Sequence, residues 1–215
     1  MSVSPVFARP VTRAEYLERW ERSFHLVFDT GGGFYGVEQW TDMVYRPGYT
    51  FTFLDGRVDP FPDPTDYDRL CAFARSVGDS ELLALYPLFT GVEPESNPGS
   101  AVVASIVSTA ASWEEVKSTT TEGVDLPGIN APLTFGPGVG DFYLWSPRTL
   151  WGVVQAEDAG VAIAGTWGPA ITTEFRTAFE VAGDGWTARL EEDYADFRSG
   201  AGGTGPIISD LYRRP

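Results

Sequence analysis

The stretch that decides the fold is residues 142–183, which read FYLWSPRTLWGVVQAEDAGVAIAGTWGPAITTEFRTAFEVAG. Its apolar and β-branched runs predict three strands, at 142–145, 150–155 and 161–166. The last two strands are separated by Glu-Asp-Ala-Gly, a sequence typical of a hairpin turn. A helix is predicted to follow, because Pro169 suits a first helical turn and Gly183 suits the position after a helix end. Neighbouring hairpin strands followed by a helix indicate an antiparallel sheet that carries helices.

The rest of the chain adds predicted elements, mostly before this stretch. Helical spacing and capping residues predict helices at 12–22, 65–78, 82–88, 112–115 and 187–198. Apolar or alternating runs predict strands at 24–28, 34–40 and 49–53. Residues 101–111 fit either a buried strand or a helix, and their spacing favours a helix. We expect a long loop at 119–140 and a mobile Gly-rich segment at 200–206.

These elements predict one compact α+β domain over residues 1–215, with a mainly antiparallel sheet and flanking helices. A chain of 215 residues and 23.4 kDa lies within the size range of a single domain. Hydrophobic residues make up 43% of the chain and aromatic residues 14%, which is enough to build a sizeable core. We therefore do not expect a disordered chain.

The chain is strongly acidic, with 30 Asp and Glu residues against 15 Lys and Arg residues and a formal net charge of −15. Between Arg75 and Arg148 the only cation is Lys117, so the middle of the chain is the predicted source of a negative patch. Such a charge repels nucleic-acid phosphates and speeds association with a positively charged partner. We expect a protein partner with a basic surface and no nucleic-acid ligand.

The single cysteine, Cys71, and the single histidine, His25, exclude several kinds of site. One cysteine cannot form an intrachain disulfide or a cysteine-based zinc site, and one histidine excludes His-rich metal sites. We expect Cys71 to be a buried, unreactive thiol and His25 to lie in the core or at a sheet edge. With neither a signal-peptide pattern nor a membrane-spanning run in the sequence, we expect a soluble cytoplasmic protein without membrane contact.

An Asp-Thr-Gly segment, formed by Asp29, Thr30 and Gly31, follows the apolar run at 24–28. It resembles the catalytic turn of the aspartic peptidases, in which two such aspartates meet and share a proton. The chain holds no second Asp-Thr-Gly, so this resemblance implies a homodimer in which each copy supplies Asp29. The alternative interpretation is a turn between strands, in which Asp29 bonds to the local backbone.

Two acidic clusters offer oxygen atoms to a hard cation. The first contains Asp59, and its candidate metal ligands are Asp63, Asp66 and Asp68. The second cluster lies at 191–196. Because neither has the spacing of an EF-hand loop, helix capping and solvated carboxylates account for both. We expect no metal or other cofactor, and a metal-dependent hydrolase stays an alternative.

The candidate partner-binding residues combine negative charge with aromatic area. They are four carboxylates from the cation-poor middle of the chain and two tryptophans from predicted strands: Glu93, Glu95, Glu114, Glu115, Trp145 and Trp151. The tryptophans stand close in sequence to Phe142 and Tyr143. We expect some of these rings to face outward from the strands and to mark a binding surface.

The sequence favours a non-catalytic acidic protein that binds a macromolecular partner. Small size, high negative charge and the lack of a catalytic motif make it similar to bacterial immunity proteins and other inhibitors of basic toxins, which implies that it occludes a basic protein. One alternative is an enzyme built on carboxylates, either the Asp29 dimer or a metal-dependent hydrolase. Another is a structural or assembly subunit of a virion or a larger complex. The oligomeric state stays open.

Overall fold

A computed structural model of the chain describes its framework of strands and helices. The described residues are 6–11, 13–28, 45–55, 64–86, 102–118, 121–124, 133–135, 142–156, 161–183 and 185. The strands among them are β1 (Val6–Val11), β2 (Tyr49–Asp55), β3 (Glu81–Tyr86), β4 (Val102–Ser108), β5 (Thr121–Val124), β6 (Leu133–Phe135), β7 (Phe142–Trp145), β8 (Trp151–Ala156) and β9 (Val161–Trp167). The first helix, α1, joins three consecutive segments, Arg13–Tyr16, Leu17–Glu21 and Arg22–Val27, of which the middle one is π-helical. The other helices are α2 (Pro64–Ser76), α3 (Trp113–Lys117) and α4 (Pro169–Ala178).

Seven of these strands form one antiparallel sheet in the order β1-β4-β3-β7-β8-β9-β2. Strands β7, β8 and β9 are consecutive neighbours, as the sequence predicts, with Trp145 opposite Gly152 and Ala156 opposite Val161. Strands β5 and β6 pair separately with each other. The predicted α+β class, with an antiparallel sheet and flanking helices, is therefore confirmed.

Helices cover both faces of the sheet, so the core consists of two apolar layers. Because side chains alternate along a strand, Tyr143 and Trp145 of β7 belong to the layer beneath α1. Phe142 and Leu144 of the same strand belong to the layer beneath α2, α3 and α4. All four side chains are buried. A strand covered on both faces needs no polar alternation, which explains the continuous apolar runs in the sequence.

Two glycines on the neighbouring strands β8 and β9 make room for aromatic rings in the α1 layer. Gly152 of β8 is paired with Gly165 of β9. A Cβ atom on Gly165 would lie 2.5 Å from the ring of Tyr45, and one on Gly152 would lie 2.7 Å from the ring of Phe28. The Tyr45 hydroxyl donates a 2.6 Å hydrogen bond to the carbonyl of Ile163. These rings therefore pack directly on the sheet backbone.

Helix α1 is longer than predicted, and it takes the place of a predicted strand. The expected strand at 24–28 is wrong, because α1 continues to Val27 and Phe28 forms only an isolated bridge to Tyr45. The buried side chains of α1 are spaced by four, four and three residues, which is a helical stripe: Tyr16, Trp20, Phe24 and Val27. His25 accordingly lies on a helix, where it is half-buried, and not in a strand.

Two further predictions are wrong because central strands resemble buried helices in sequence. Strand β3 replaces the helix predicted at 82–88, and β4 replaces the helix favoured at 101–111. Strand β3 lies between β4 and β7, so each of its central residues packs against one of the two core layers. A short apolar run without alternation fits either element, and its position in the sheet decides for the strand.

The structure confirms β2, α2, the helical turn after Ser112, and α4. Helix α2 closes at Gly78, which has a φ of 89°, as predicted. Helix α4 ends earlier than predicted, at Ala178. The left-handed residue that closes the helix is Glu180, with a φ of 56°, because the amide of Val181 bonds to the carbonyl of Arg176. Gly183 is also left-handed, with a φ of 62°, but it lies beyond this helix end.

The segment predicted as a long loop, 119–140, contains the short strands β5 and β6, so that prediction is wrong in part. The strand predicted at 34–40, the helix predicted at 187–198 and the mobile segment predicted at 200–206 lie outside the described residues. Among the described helices, none is both long and apolar enough to cross a membrane.

Among the described strands, β1 and β2 lie at the two ends of the sheet, and each carries a feature that opposes pairing with another chain. Arg176 of α4 reaches β2, where its Nε donates to the Thr52 hydroxyl and its Nη2 donates to the carbonyl of Phe51, both at 2.9 Å. Strand β1 contains Pro10, which has no amide hydrogen to donate. A charged side chain and a proline are common protections of a sheet edge.

Candidate functional site

Two of the predicted partner-binding carboxylates, Glu114 and Glu115, lie on α3, just after β4. The hydroxyl of Ser112 accepts a hydrogen bond from the amide of Glu115, while Oε2 of Glu115 accepts from the amide of Ser112 at 2.7 Å. These bonds form a capping box at the predicted helical turn, and the hydrogen bonds from the Ser112 backbone and hydroxyl lower the pKa of the Glu115 carboxyl. Both Glu114 and Glu115 are exposed, and the bond to Ser112 leaves the Glu115 carboxylate at the surface.

Several other predicted site residues lie outside the described residues. They include two partner-binding carboxylates, one candidate metal ligand and the whole Asp-Thr-Gly segment: Glu93, Glu95, Asp63, Asp29, Thr30 and Gly31. Their proposed roles stay predictions.

Trp145 and Trp151 are fully buried, as are Phe142 and Tyr143, so the prediction that some of these rings face outward is wrong. The reason is that β7 and β8 are interior strands of a sheet with helices on both faces. Each indole nitrogen also has an internal acceptor. The nitrogen of Trp145 donates to the hydroxyl of Ser23 on α1 at 3.0 Å. A partner therefore cannot reach either tryptophan in this fold.

The indole of Trp151 leads to a buried polar group, the Asp79 cluster, which consists of Asp79, Ser146, Arg148 and Trp151. Oδ2 of Asp79 accepts a 2.9 Å hydrogen bond from Nε1 of Trp151, and Oδ1 accepts a 2.9 Å hydrogen bond from the hydroxyl of Ser146. The Ser146 hydroxyl in turn accepts from the amide of Arg148 at 3.1 Å. The guanidinium of Arg148 donates to the carbonyl of Val77, just before Asp79.

Two turns that are distant in sequence place these groups together. At the end of α2, the amide of Gly78 bonds to the carbonyl of Arg75, and the amide of Asp79 bonds to the carbonyl of Ala74 at 2.8 Å. This is a Schellman motif, and the positive φ of Gly78 makes it possible. In the turn between β7 and β8, the amide of Ser146 bonds to the carbonyl of Trp151. The second turn thus presents both of its donors to Asp79.

The start of α3 is tied to the same place through Thr109. The Thr109 hydroxyl donates to the carbonyl of Asp79 at 3.1 Å, and its amide donates to the carbonyl of Ser80 at 3.1 Å. The guanidinium of Arg75 donates to the carbonyl of Thr109. One end of the sheet is therefore held by a continuous network around Asp79.

Burial dominates the electrostatics of Asp79. Asp79 is 4% exposed, and the loss of contact with water raises the pKa of its carboxyl above the ordinary value. The hydrogen bonds from Trp151 and Ser146 and the charge of Arg148 favour the ionised form, but they do not cancel the effect of burial. Asp79 therefore holds its proton more tightly than a surface aspartate does.

This geometry suits a structural role better than a catalytic one. A general acid or base must come within hydrogen-bond distance of its substrate. Both carboxylate oxygens of Asp79 already accept from buried donors, and Ser146 has no exposed surface. The Asp79 cluster therefore joins the turn before β3 to the turn before β8. Gly78 and the aspartate that follows it are its local signals in the sequence.

The remaining predicted metal ligands, Asp66 and Asp68, lie in the first turns of α2 and differ in their surroundings. Oδ1 of Asp66 lies 3.3 Å from Nη1 of Arg69, and Nη2 of Arg69 lies 3.3 Å from Oε2 of Glu180, after α4. Asp68 is exposed. Within the part of the chain that the structure describes, no group of three or more Asp, Glu, His or Cys side chains could hold a metal ion. Asp66 instead belongs to an ion-pair link between α2 and α4.

Cys71 is buried on the inner face of α2, as predicted. Desolvation raises the pKa of its thiol, which lowers the fraction of reactive thiolate. Tyr67 lies one turn earlier on the same face, and its hydroxyl donates to the carbonyl of Ala111 at 2.9 Å. The thiol is therefore a packing group at the contact between α2 and the start of α3.

Exposed large apolar side chains in the described part of the chain are Leu17, Leu26 and Trp167, which the sequence analysis did not single out. The ring of Trp167 meets the ring of Tyr49 edge-on at 5.3 Å. The hydroxyl of Tyr49 lies 3.4 Å from the carbonyl of Leu26 and donates to the carbonyl of Thr149 at 2.6 Å. Burial raises the pKa of Tyr49 to about 12. Tyr49 therefore contacts both the ring of Trp167 and the backbone of Leu26.

The chain matches no protein-family model, and neither a curated protein nor a solved structure shows significant similarity to it.

Proposed function

We propose that this chain is a non-catalytic acidic interaction protein whose partner is a protein with a basic surface. The observation that carries the proposal is the net charge of −15, which gives a sequence pI of about 4.3. A charge of this size attracts a basic protein over distances longer than direct contacts. It also repels the phosphates of nucleic acid.

The distribution of the charge supports recognition through the connecting segments. The side chains that the structure describes include 11 acidic and 8 basic residues, which is an excess of only three negative charges. Most of the acidic excess therefore belongs to sequence between the described elements, including Glu93 and Glu95. The sheet and its helices form a framework, and the segments that connect them supply most of the charge.

Glu114 is the described residue through which we propose that this charge acts on the partner. It is exposed on α3, and its neighbour Glu115 is bound to Ser112 and keeps the short helix capped. The cap fixes the helix backbone that carries Glu114 before the partner arrives, which lowers the entropy lost on binding.

The mechanism we propose is occlusion, as in inhibitors and immunity-type proteins that cover a basic protein. Carboxylates steer the approach of the partner, and shape complementarity holds the complex. The candidate partner-binding tryptophans, Trp145 and Trp151, do not contact the partner, because both are buried. The Asp79 cluster takes no part either, since its hydrogen bonds are internal.

Affinity capture from the source organism at low and at high salt tests this proposal. We expect a specific basic protein to be retained at low salt and lost at high salt, because salt screens the attraction. Recovery of an acidic or neutral partner whose retention does not change with salt would contradict the proposal. Turnover of a substrate by the purified chain would contradict it as well.

A further inference from the structure

We draw no further inference here: the strongest candidate, the exposed surface of Trp167 at the end of β9 beside Tyr49, carries no argument for a particular occupant, because nothing in the structure shows what covers it.

Discussion

Nε1 of Trp151 donates a 2.9 Å hydrogen bond to Oδ2 of Asp79, across 72 residues of sequence, and both residues are buried. The second oxygen of the carboxylate accepts from Ser146, which precedes Trp151 in the same turn. A single side chain thus satisfies two buried donors and joins the end of α2 to the start of β8. Stability should depend on Asp79 more than on any exposed carboxylate of the chain.

Removing the acceptor should destabilise the protein strongly. In Asp79→Ala, the indole of Trp151 and the hydroxyl of Ser146 lose their acceptor, and each stranded buried donor costs about 1–3 kcal/mol. We expect the free energy of unfolding to fall by about 2–4 kcal/mol in urea titrations. Glu174→Gln is a suitable control, because this exposed carboxylate should change stability by less than about 0.5 kcal/mol. Equal stability of the two variants would contradict the structural role of the Asp79 cluster.

The isosteric change Asp79→Asn should cost less than Asp79→Ala. The amide oxygen of asparagine can still accept from Trp151, and its NH₂ group can donate to the Ser146 hydroxyl after that hydroxyl rotates. The change also removes the cost of burying a charge. We expect Asp79→Asn to retain at least half of the stability that Asp79→Ala loses at pH 7. A loss as large as that of the alanine variant would show that the negative charge itself is needed.

The raised pKa of Asp79 predicts how its contribution depends on pH. Because burial raises the native pKa above the unfolded value of about 3.9, the native state binds the proton more tightly than the unfolded state does. The stabilisation from this proton is complete below the unfolded pKa and is lost as the pH rises through the native pKa. Wild type should therefore gain stability relative to Asp79→Asn when the pH is lowered from about 7 towards about 4. Urea titrations of both proteins measure this difference, and a constant difference or an opposite slope would contradict the assignment.

The contact between Gly165 and Tyr45 predicts a sharp response to one added methyl group. In Gly165→Ala the new Cβ would lie 2.5 Å from the Tyr45 ring, so the ring and α1 must shift. We expect a loss of about 1–3 kcal/mol, as for other overpacked core sites. Because the φ of Gly165 lies outside the left-handed region, the loss comes from crowding alone.

A double-mutant cycle separates crowding from other effects at this position. Combining Gly165→Ala with Tyr45→Ala should cost less than the sum of the single changes, because the smaller side chain leaves room for the methyl group. Gly168→Ala is the contrasting case: its Cβ would meet nothing within 4 Å, so any loss there comes from its φ of 84° and not from crowding. Additive losses in the cycle would show that Tyr45 does not pack against Gly165.

Burial of Cys71 predicts a thiol that reacts only through unfolding. Cys71 is the single cysteine of the chain, so any reaction with a thiol reagent reports on this position. Its burial and the raised pKa of the thiol should keep the folded protein unreactive near neutral pH, and denaturant should release one reactive thiol. Absorbance with a chromogenic disulfide reagent measures both states. Rapid reaction of the folded protein would place Cys71 at the surface.

The sequence predicts those elements whose ends carry local signals. The meander β7–β9 has a hairpin turn, α4 has Pro169 at its start, and α2 has Gly78 at its end, and each of these elements is present. Strands β3 and β4 lack such signals. They lie inside a sheet covered on both faces, so their apolar runs alone do not separate a strand from a buried helix. Only their pairing with other strands shows that they are strands, and the paired residues lie far away in sequence.

The candidate site was harder to predict than the fold. The helical turn after Ser112 is local, so the sequence predicts it directly, whereas the reciprocal hydrogen bonds of Ser112 and Glu115 are a finding of the structure. The prediction that the tryptophans face outward is wrong, because the burial of a strand residue depends on whether its strand lies inside the sheet. The Asp79 cluster joins two turns that no sequence spacing relates.

Charge reversal at one position tests whether the partner binds near α3 or responds only to the net charge of the chain. Glu114→Lys and Glu174→Lys change the net charge equally at exposed sites on different helices, α3 and α4. We expect Glu114→Lys to weaken binding of the captured partner several-fold more than Glu174→Lys does, because charge close to the contact acts through less screening salt. Calorimetric titration measures both. Equal effects would show that net charge alone matters and that α3 has no special place.

The most direct measurement of the central claim is the association rate constant with the captured partner, followed by stopped flow as the ionic strength rises. Between about 0.01 M and 1 M salt the Debye length falls from about 30 Å to about 3 Å, so steering by the charge of −15 should disappear. The account predicts that the rate constant falls by at least about tenfold over this range. A rate constant that stays the same across the range would contradict it.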